Sequence, residues 1–372
     1  MIDTTCLQCY GCTACSEVCP TKAIQMVENV RGFLFPQINA SKCINCGVCE
    51  KACPIGKKNG SAYPIRVVGL KDLRNDSRMA SASGAAFALI SDYIINNGGL
   101  ICGAVFDDNF VVKHICTNNI NERDKMRGSK YVQSNMIGII GQIKKNLTDG
   151  KIVLFTGTPC QVAGVKSIIH DENLFTCDII CHGVGSPLIF GDYIKSIEKR
   201  YGKINYFTFR NKAVSWRGCN IEIRTDKGVF KDKPVINSFK HLYYGHYSCR
   251  NSCFNCEFAS EKRVSDITIG DFWGIESTNP EFDDGKGVSI ALINTPKGMN
   301  LFEGIKSNCS YFDSSLEKTK QPQLHAPIGF EPLSTKFWAE YQKYGYNHIS
   351  KTYGEVGFVA RLKTRIKKLI NH

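Results

Sequence analysis

The sequence has no long hydrophobic run. No stretch approaches the roughly 18 consecutive apolar residues that a membrane-spanning helix requires, and the first cysteines are not preceded by the apolar segment of a secretory signal. We therefore expect a soluble, cytoplasmic protein. Because a reducing cytosol disfavours disulfides, the 19 cysteines of this 372-residue chain are expected to bind metal rather than one another.

The sequence also lacks a block of basic residues outside its C-terminal tail. Lysine and arginine total 47 against 34 aspartates and glutamates, which gives a formal net charge of +13. A clustered basic face would indicate nucleic-acid binding, but here the basic residues are scattered. We expect no nucleic-acid partner, and a surface of this kind suits an acidic protein partner.

Cysteines concentrate at the N-terminus, where the pattern C-x-x-C-x-x-C-x-x-x-C-P occurs twice. Each run places three thiolates on one tight loop and a fourth after a longer step, which is the arrangement that holds a 4Fe-4S cluster. In such modules the fourth cysteine of each run binds the other cluster. The predicted ligand sets are Cys9, Cys12, Cys15 and Cys53 for the first cluster, and Cys43, Cys46, Cys49 and Cys19 for the second.

A zinc site or a disulfide knot is the alternative for these cysteines, but it would need two-plus-two spacing or an oxidising compartment. Residues 1–56 resemble bacterial two-cluster ferredoxins and form the first predicted domain. Gly47 occupies a position where the backbone approaches the cluster closely. Cys6 lies outside both runs and is interpreted as incidental. A polar segment at 56–61 marks the domain boundary.

Strand and helix patterns alternate after this boundary. The predicted strands are 65–70, 100–106, 151–155 and 174–180. This alternation predicts an α/β layer with a mixed, mainly parallel sheet. No G-x-G-x-x-G follows the third strand, so a Rossmann dinucleotide site is not indicated. Residues 203–240 are typical of an antiparallel hairpin, which we interpret as an insertion.

Four cysteines outside the N-terminal module form a second pattern. Cys160 and Cys181 follow predicted strands, and the carboxyl ends of parallel strands meet at one edge of a sheet. Cys253 and Cys256 form a C-x-x-C pair. Together these four predict a third 4Fe-4S cluster, with Cys249 as a substitute ligand. The alternative is one packed thiol pair and two buried cysteines that behave as small hydrophobes.

Five motifs between residues 60 and 330 occur in the order found in one known family. They are Ser83-Gly84, Arg127-Gly128-Ser129-Lys130-Tyr131, Gly157-Thr158-Pro159-Cys160-Gln161, Cys181-His182-Gly183, and the segment from Ser265 to Gly274. The chain resembles the beta subunit of coenzyme F-420 hydrogenase/dehydrogenase, as a bacterial member with a fused two-cluster ferredoxin module. Relatives include formate dehydrogenase beta subunits and a plant hydroxymethyl-chlorophyll reductase.

The resemblance implies an FAD-containing iron–sulfur oxidoreductase. It divides the main domain into a flavin-binding part at 62–165 and a part at 166–330 that carries the third cluster. The implied flavin contacts are Ser83, Gly84, Ala85, Arg127, Gly128, Ser129, Lys130, Tyr131, Gly157, Thr158, Pro159, Gln161 and Asp271. Relatives often carry two glycines after the serine and Arg-Pro-Ser-Cys before the C-x-x-C, whereas this chain has Gly84-Ala85 and Arg250-Asn251-Ser252-Cys253.

Two residues are candidates for chemistry at the flavin. His182 has the ordinary pKa range of a proton donor, or it orients the loop beside Cys181. Lys130 is predicted to stabilise negative charge on the reduced flavin, or it is a surface cation paired with a carboxylate. Asp266 and Asp271 either bind flavin hydroxyls or cap turns.

The predicted function is electron transfer between a one-electron, ferredoxin-like donor and a two-electron acceptor, either a small molecule or a deazaflavin, through 4Fe-4S clusters and FAD. Two alternatives are an electron-transfer subunit of a larger complex that reduces or oxidises coenzyme F-420, and a non-catalytic iron–sulfur interaction protein. The basic tail at 335–372 contains an amphipathic stretch that would lie on a membrane surface, bind a partner or pack on its own domain. The sequence leaves open whether the chain forms a homo-oligomer.

Overall fold

The computed structural model describes residues 2–57, 60–213, 215–218, 220–359 and 362. The strands in chain order are β1 (Ile24–Glu28), β2 (Leu34–Ile38), β3 (Arg66–Asp72), β4 (Leu100–Phe106), β5 (Val112–Thr117), β6 (Val153–Gly157), β7 (Leu174–Ile179), β8 (Ile204–Thr208), β9 (Glu222–Thr225), β10 (Gly228–Lys231), β11 (Ile267–Asp271), β12 (Ser289–Ile293) and β13 (Cys309–Ser314).

The helices fill the connections between these strands. They are α1 (Ala14–Glu17), α2 (Val48–Ala52), α3 (Asn75–Met79), α4 (Ala86–Asn96), α5 (Ile120–Asp124), α6 (Ile139–Thr148), α7 (Pro159–Lys166), α8 (Pro187–Tyr201), α9 (Pro234–Tyr244), α10 (Ile275–Thr278), α11 (Pro296–Ile305), α12 (Ser334–Tyr344) and α13 (Tyr346–Thr352). Over the described part of the chain, none of these helices is both long and apolar enough to cross a bilayer.

An eight-stranded mixed sheet forms the centre of the main domain. Its spatial order is β13-β3-β12-β11-β7-β6-β4-β5. The neighbours from β11 to β4 pair in parallel, whereas the pairs outside this stretch are antiparallel. The predicted fold class, a ferredoxin-like module followed by an α/β domain with a mixed sheet, is confirmed.

The sheet is buried on both faces, and the alternation of side chains along β6 shows why. Val153 and Phe155 share an apolar core with α6 and α7, while Leu154 shares the opposite core with α4 and α11. Successive residues of a strand point to opposite faces. A strand covered by helices on both sides is therefore continuously apolar, which is how β6 appears in the sequence.

The N-terminal module contacts the main domain through a common core. In the module β1 and β2 pair antiparallel, and Tyr10, Cys12 and Ala14 are buried in the same core as α6 and α7. A Cβ at Gly164 of α7 would lie 2.7 Å from both Cβ and Sγ of Cys12. The missing side chain of this glycine therefore lets the module approach α7 closely.

The segment predicted as an antiparallel insertion forms the separate three-stranded sheet β10-β9-β8. Its inner face joins an aromatic core that includes Phe190 of α8, Phe207 of β8 and Phe239 of α9. The centroids of the Phe190 and Phe239 rings lie 5.0 Å apart in an edge-to-face arrangement. Aromatic burial of this kind fixes the insertion against the rim of the main sheet.

The region predicted as a tail, 335–372, begins with helices that pack on the domain. Phe337 and Trp338 of α12 and Ile349 of α13 are buried in the aromatic core of the insertion. Farther along, Phe358, Val359 and Leu362 are exposed. The rest of the predicted amphipathic stretch, at 360, 361 and 363–372, lies outside the described residues.

One pair of cysteines contradicts the expectation that the chain has no disulfides. Strands β4 and β5 place Cys102 directly opposite Cys116, and a disulfide joins the two. The expectation is wrong for this pair because it was based on a reducing cytosol and not on which strands pair in the fold. The strand register that brings the two side chains together is a tertiary property that their sequence separation of 14 does not reveal.

Candidate functional site: two adjoining cavities

A cavity of about 410 Å³ opens where the parallel strands of the sheet end. Gly157 and Thr158 follow the buried part of β6, and residues 180–184 follow β7, which ends at Ile179. Asp271 ends β11, and all of these residues line the cavity. In open α/β sheets, ligands bind in this crevice beyond the carboxyl ends of the strands. Its volume is within the range of sites for small molecules and cofactors.

Most of the residues predicted to contact flavin line this one cavity, although they come from four separate segments. They are Ser83, Ala85, Arg127, Gly128, Ser129, Lys130, Tyr131, Gly157, Thr158, Gln161 and Asp271. Two predicted contacts lie elsewhere. A Cβ at Gly84 would lie 2.3 Å from the Leu70 carbonyl oxygen, so Gly84 lets the backbone pack on β3. Pro159 faces the second, smaller cavity.

Two helices begin at the wall of the larger cavity. Ala85, in the left-handed conformation with φ of 71°, precedes the first residue of α4. Helix α7 begins with a capping box in which the Thr158 side chain and the Gln161 side chain bond reciprocally to the backbone. The helix dipole favours anionic groups at both termini, and at α4, which has no side-chain cap, the first N–H groups favour them as well. This wall is therefore suited to the phosphates of a nucleotide cofactor.

Lys130 is held by backbone carbonyls and not by a carboxylate. Its Nζ donates to the carbonyl oxygens of Met126 and Arg127, both at 3.1 Å, and of Gly128 at 3.4 Å. Removal from bulk water lowers the pKa of Lys130 to about 7. The alternative of a surface cation paired with a carboxylate is therefore wrong. Lys130 instead fixes the loop that contains Gly128 and Ser129.

The sequence analysis missed Arg210, which joins the insertion to the cavity. Its guanidinium donates to the Asp271 carboxylate at 2.9 Å and to the Trp216 carbonyl at 2.9 Å. Asp271, predicted to bind flavin or cap a turn, is thus the ionic partner of a buried arginine. No local signal marks Arg210, because only the folding of the insertion onto the sheet brings it here.

Aromatic side chains line the same cavity; the sequence analysis predicted Tyr131 but missed Tyr243 and Trp273. The rings of Tyr131 and Tyr243 stack with centroids 4.9 Å apart, and Trp273 stacks on Trp216 at 5.3 Å with an interplanar angle of 4°. Tyr131, Tyr243 and Trp273 line the cavity. Flat apolar walls with a few polar groups suit a planar ligand.

The second cavity, of about 30 Å³, contains the four cysteines that the sequence predicts to bind a third cluster. Cys160, Cys181, Cys253 and Cys256 all line it, together with the apolar Phe258 and Ile328. Burial raises the pKa of the Cys181 thiol, and the nearby sulfurs of Cys253, Cys160 and Cys256 raise it further. The structure thus brings this predicted ligand set together; its metal binding stays a prediction.

Cys249, the predicted substitute ligand, lies elsewhere. It does not line the cysteine cavity; it is buried in the aromatic core of the insertion, and its Sγ lies 3.7 Å from the Tyr243 carbonyl oxygen. A cysteine in such surroundings behaves as a small hydrophobe. Cys249 therefore offers a natural comparison with the four cysteines of the cavity.

The first N-terminal ligand set also converges. Burial raises the pKa of Cys15 to about 12, with further contributions from Cys9 and Cys53, while Cys12 is buried against α7. The thiolates of a cubane are spread over its corners and do not converge on one ion. Consistently, within the described residues no group of His, Cys, Asp and Glu side chains is arranged to hold a single metal ion.

The two cysteine runs have matching backbone geometry. Gly11 and Thr13 in the first run have φ of 67° and 64°, and Asn45 and Gly47 in the second run have φ of 52° and 72°. Backbone N–H groups turn toward sulfur in this part of the chain: Gly11 donates to Cys9 Sγ at 3.4 Å. Such concave loops stabilise anions, which suits a thiolate-bound cluster.

The runs differ in exposure. Cys46 of the second run is exposed and Cys12 of the first run is buried. Ile44 and Val48, which flank Cys46, are 63% and 37% exposed. The second run therefore faces the surface, and the first faces the main domain.

His182 lines both cavities, and its Nε2 lies 3.1 Å from Nε2 of His246. Nδ1 of His246 lies 2.9 Å from the Gly329 carbonyl oxygen, to which it donates. Burial, and then His246, lowers the pKa of His182 to about 4. His182 was predicted to donate protons because histidine ordinarily has a near-neutral pKa. Burial lowers its pKa below that range, so this argument no longer holds. Orientation of the loop beside Cys181 is the role that the contacts favour.

Asp266 has a structural role. One of its carboxylate oxygens accepts from the Thr176 backbone N–H at 2.8 Å and the Thr176 hydroxyl at 2.7 Å. The other accepts from the Thr295 hydroxyl at 2.8 Å. These bonds join β7 to the start of α11, and Asp266 does not line the larger cavity.

Comparison with known families agrees with this architecture. Residues 150–314 match the family described as the C terminus of the coenzyme F420 hydrogenase/dehydrogenase beta subunit. Residues 8–57 match the 4Fe-4S dicluster domain. The chain is therefore an iron–sulfur electron-transfer protein related to F420 hydrogenase beta subunits.

Similar curated proteins match the N-terminal module. A polyferredoxin-like protein of Methanocaldococcus jannaschii is 40% identical over 65 residues, covering 15% of this chain and 39% of that protein. The methylamine utilization ferredoxin-type protein MauM of Methylobacillus flagellatus is 37% identical over 73 residues, covering 18% of this chain and 31% of that protein. The chain thus spans less than half the length of these relatives.

A similar solved structure is a chain of the F420-reducing [NiFe] hydrogenase complex from Methanosarcina barkeri, determined as a xenon derivative. It is 16% identical, the superposition has a TM-score of 0.47, and the match covers 78% of this chain and 94% of that chain.

Proposed function

We propose that this chain is an FAD- and 4Fe-4S-dependent oxidoreductase that connects a ferredoxin-like, one-electron carrier with a two-electron organic acceptor. The observation that carries the proposal is the wall common to the two cavities. Thr158, Cys181, His182, Gly183 and Val184 line both. A redox group on the cysteines and a ligand in the larger cavity would be neighbours.

The residues of the larger cavity fit a flavin nucleotide. The start of α4 provides N–H groups for phosphates and the dipole of α7 favours their charge, while Tyr131, Tyr243 and Trp273 provide flat apolar surfaces for a ring system. The loop held by Lys130, which contains Gly128 and Ser129, forms another part of the cavity wall. These features support FAD as the ligand because each part of the nucleotide has a chemically matched wall.

Iron–sulfur clusters carry single electrons and a flavin exchanges electron pairs, so these groups together would couple one-electron and two-electron chemistry. The cysteine sets are arranged in space from the protein surface toward the larger cavity. The second run faces the surface, Cys12 of the first run packs against α7, and Cys160 is in the first turn of the same helix. This order, from the surface to the main domain, supports electron exchange with a carrier at the second run, whichever way the electrons flow.

Counting cofactors tests this proposal directly. Anaerobically purified protein is expected to contain about 12 iron atoms and one FAD per chain. Replacing Cys256 by alanine should remove about four iron atoms, whereas the control Cys249→Ala, a buried cysteine outside the cavity, should retain all of them. Protein with about 8 iron atoms, or protein that neither contains nor takes up FAD, would contradict the proposal.

A second function is favoured by the family match of residues 150–314, whose description names F420 hydrogenase and dehydrogenase. In this case the chain is an electron-transfer subunit that exchanges electrons with coenzyme F-420 inside a larger complex. The two functions differ in what the isolated chain does. Turnover of an organic acceptor with reduced ferredoxin and no other subunit supports the first, and exchange with F-420 alone supports the second.

A further inference from the structure

Arg250 is a buried cation at the junction of the N-terminal module and the main domain. Its side chain is 1% exposed. Nε donates to the Cys9 carbonyl at 2.7 Å and one terminal nitrogen donates to the Leu34 carbonyl at 2.9 Å. The other terminal nitrogen donates to the Gln133 side-chain oxygen at 2.7 Å. The first two acceptors belong to the module and the third belongs to the main domain.

The packing around this guanidinium leaves it little freedom. It lies over the rings of Phe33 and Phe35, with its central carbon 5.3 Å and 4.4 Å from their centroids. A Cβ at Gly11 would lie 3.0 Å from Nη1 of Arg250, and Gly11 has φ of 67°. A glycine is therefore required for this approach, and Arg250 is fixed in one position.

All three hydrogen-bond acceptors of Arg250 are uncharged. A buried charge is costly unless an opposite charge compensates it, and neutral carbonyl and amide oxygens provide only part of that compensation. The sulfur atoms of the first and third predicted cysteine sets provide the remaining compensation of charge. Arg250 bonds to Cys9 of the first set, and it lines the cavity of the third set together with Cys160 and Cys253. Four thiolates around an iron–sulfur core make an anion.

We propose that Arg250 is a positioning residue for electron transfer: its fixed positive charge lies between the first and third cysteine sets and raises the reduction potentials of the clusters on both. The proposal depends on the proposed function for the third set, whereas the first set tests it independently. A nearby cation stabilises the added electron because Coulomb interactions are strong at a buried site.

The same contacts position the module. Gln133 accepts from Arg250 and donates through its Nε2 to the Tyr10 carbonyl at 2.8 Å. The amide and the guanidinium thus hold the adjacent carbonyls of Tyr10 and Cys9, at the start of the first cysteine loop, against the main domain. Removing the charge in one variant and keeping it in another separates the electrostatic effect from this docking effect.

The test is an anaerobic redox titration of the iron-loaded full chain, followed by electron paramagnetic resonance. In Arg250→Gln, which is neutral but can still donate, the equilibrium constant for reducing the first and third sets is expected to fall about tenfold, which is about 59 mV per one-electron step. Arg250→Lys should stay close to the wild type. The second set, at the exposed end of the module, is the internal reference.

A second pair of variants keeps Arg250 in place. Gln133→Glu puts a carboxylate against the guanidinium, so it should lower the same two potentials, while Gln133→Met should not. Equal potentials in Arg250→Gln, Gln133→Glu and the wild type would overturn the proposal, and so would an equal shift of all three sets. If wild-type protein lacks the resonance signal of the third set, the proposed function is contradicted instead. The potential of the first set then tests the role of Arg250.

Discussion

At the scale of single residues, two lysines near the larger cavity have a charge that depends on burial: Lys130 lines the cavity, and Lys212 bonds to Ser83 in its wall. Nζ of Lys212 donates to the carbonyl oxygens of Arg78 at 2.6 Å and Ser83 at 2.7 Å. Burial, and then the guanidiniums of Arg78 and Arg210, lowers the pKa of Lys212 to about 7. Ser83 lines the cavity, so the protonation of Lys212 changes the field at its wall.

The lowered pKa of Lys212 predicts a pH dependence of stability. The unfolded lysine titrates near pH 10.4, so between about pH 7 and pH 10 the unfolded chain binds more protons than the folded chain. Stability should therefore rise with pH in this window, by up to about 1.4 kcal/mol per unit. We expect the melting temperature of the iron-loaded protein to rise across this window relative to that of Lys212→Met. Parallel profiles for the two proteins would contradict this assignment.

Lys130 gives a second prediction at this scale. Hydrogen bonds from a charged group contribute about 1.5–3 kcal/mol, and Lys130→Met removes three of them from the loop at Gly128. The variant should melt at a lower temperature and retain less FAD after gel filtration. Lys144→Met, at an exposed position of α6, is the matched control and should behave as the wild type. Full flavin retention in Lys130→Met would rule out a positioning role.

The family resemblance, carried by short motifs, predicted many of these groups, but not how they are connected. The eleven predicted flavin contacts that line the cavity occur in motifs that are local in sequence. Arg210, Gln133 and Arg250 gain their roles from partners far away in the chain, such as Asp271 for Arg210 and Cys9 for Arg250. A local pattern cannot encode such partners, because they depend on how separate segments fold together.

At the scale of secondary-structure elements, the disulfide between Cys102 and Cys116 closes the β4–β5 hairpin. A crosslink across about 15 residues removes unfolded-state entropy worth about 3 kcal/mol in the chain-entropy model. Cys116→Ser should therefore lower stability by up to that amount. The measurement is the melting temperature of the two proteins with and without a thiol reductant. The wild type should lose stability on reduction, whereas Cys116→Ser should be insensitive; labelling of both thiols in native protein would show that the bond is absent.

The capping box of α7 provides a further prediction for an element. Thr158→Ala removes the hydroxyl that caps the first turn, which should cost about 1 kcal/mol and loosen the wall between the two cavities. Thr148→Ala, whose hydroxyl bonds to a carbonyl in the last turn of α6, is the control at a helix end away from the cavities. Differential scanning calorimetry compares the two; equal stability of Thr158→Ala and the wild type would mean that the cap is dispensable.

Elements with strong local patterns were predicted closely. The predicted strand 100–106 is β4, and the predicted strands at 151–155 and 174–180 overlap β6 and β7. The edge strands β5 and β13 were not predicted. Each gains its partner from distant or antiparallel pairing, and several of its side chains are only partly buried, so it lacks the continuous apolar run that marks β6.

At the scale of the whole molecule, the N-terminal module is part of the main domain and not a tethered carrier. Beyond the common core, the Gly138 backbone N–H donates to Glu17 at 2.9 Å, the Ser167 hydroxyl donates to the Ala52 carbonyl at 2.7 Å and Arg31 lies over the ring of Trp338. These contacts come from several parts of the module, so they fix its orientation.

This docking predicts the result of limited proteolysis. Cleavage of the native, iron-loaded protein between residues 57 and 62 should not release the module, because Tyr10, Cys12 and Ala14 remain buried in the core. The two fragments should elute together in gel filtration and separate only after denaturation. Arg31→Ala, which loses a peripheral contact, serves as a comparison. A free, folded fragment of residues 1–57 would show that the module is independent.

The wall between the cavities has one more consequence. Thr158 and His182 line both cavities. A molecule bound in the larger cavity would therefore contact residues that also border the four cysteines of the smaller one. With the proposed third cluster in place, binding of a colourless, unreactive compound would be detectable without turnover, through the change it makes in the electron paramagnetic resonance spectrum of that cluster. Screening for substrates of this protein can begin with that signal before a single product has been identified.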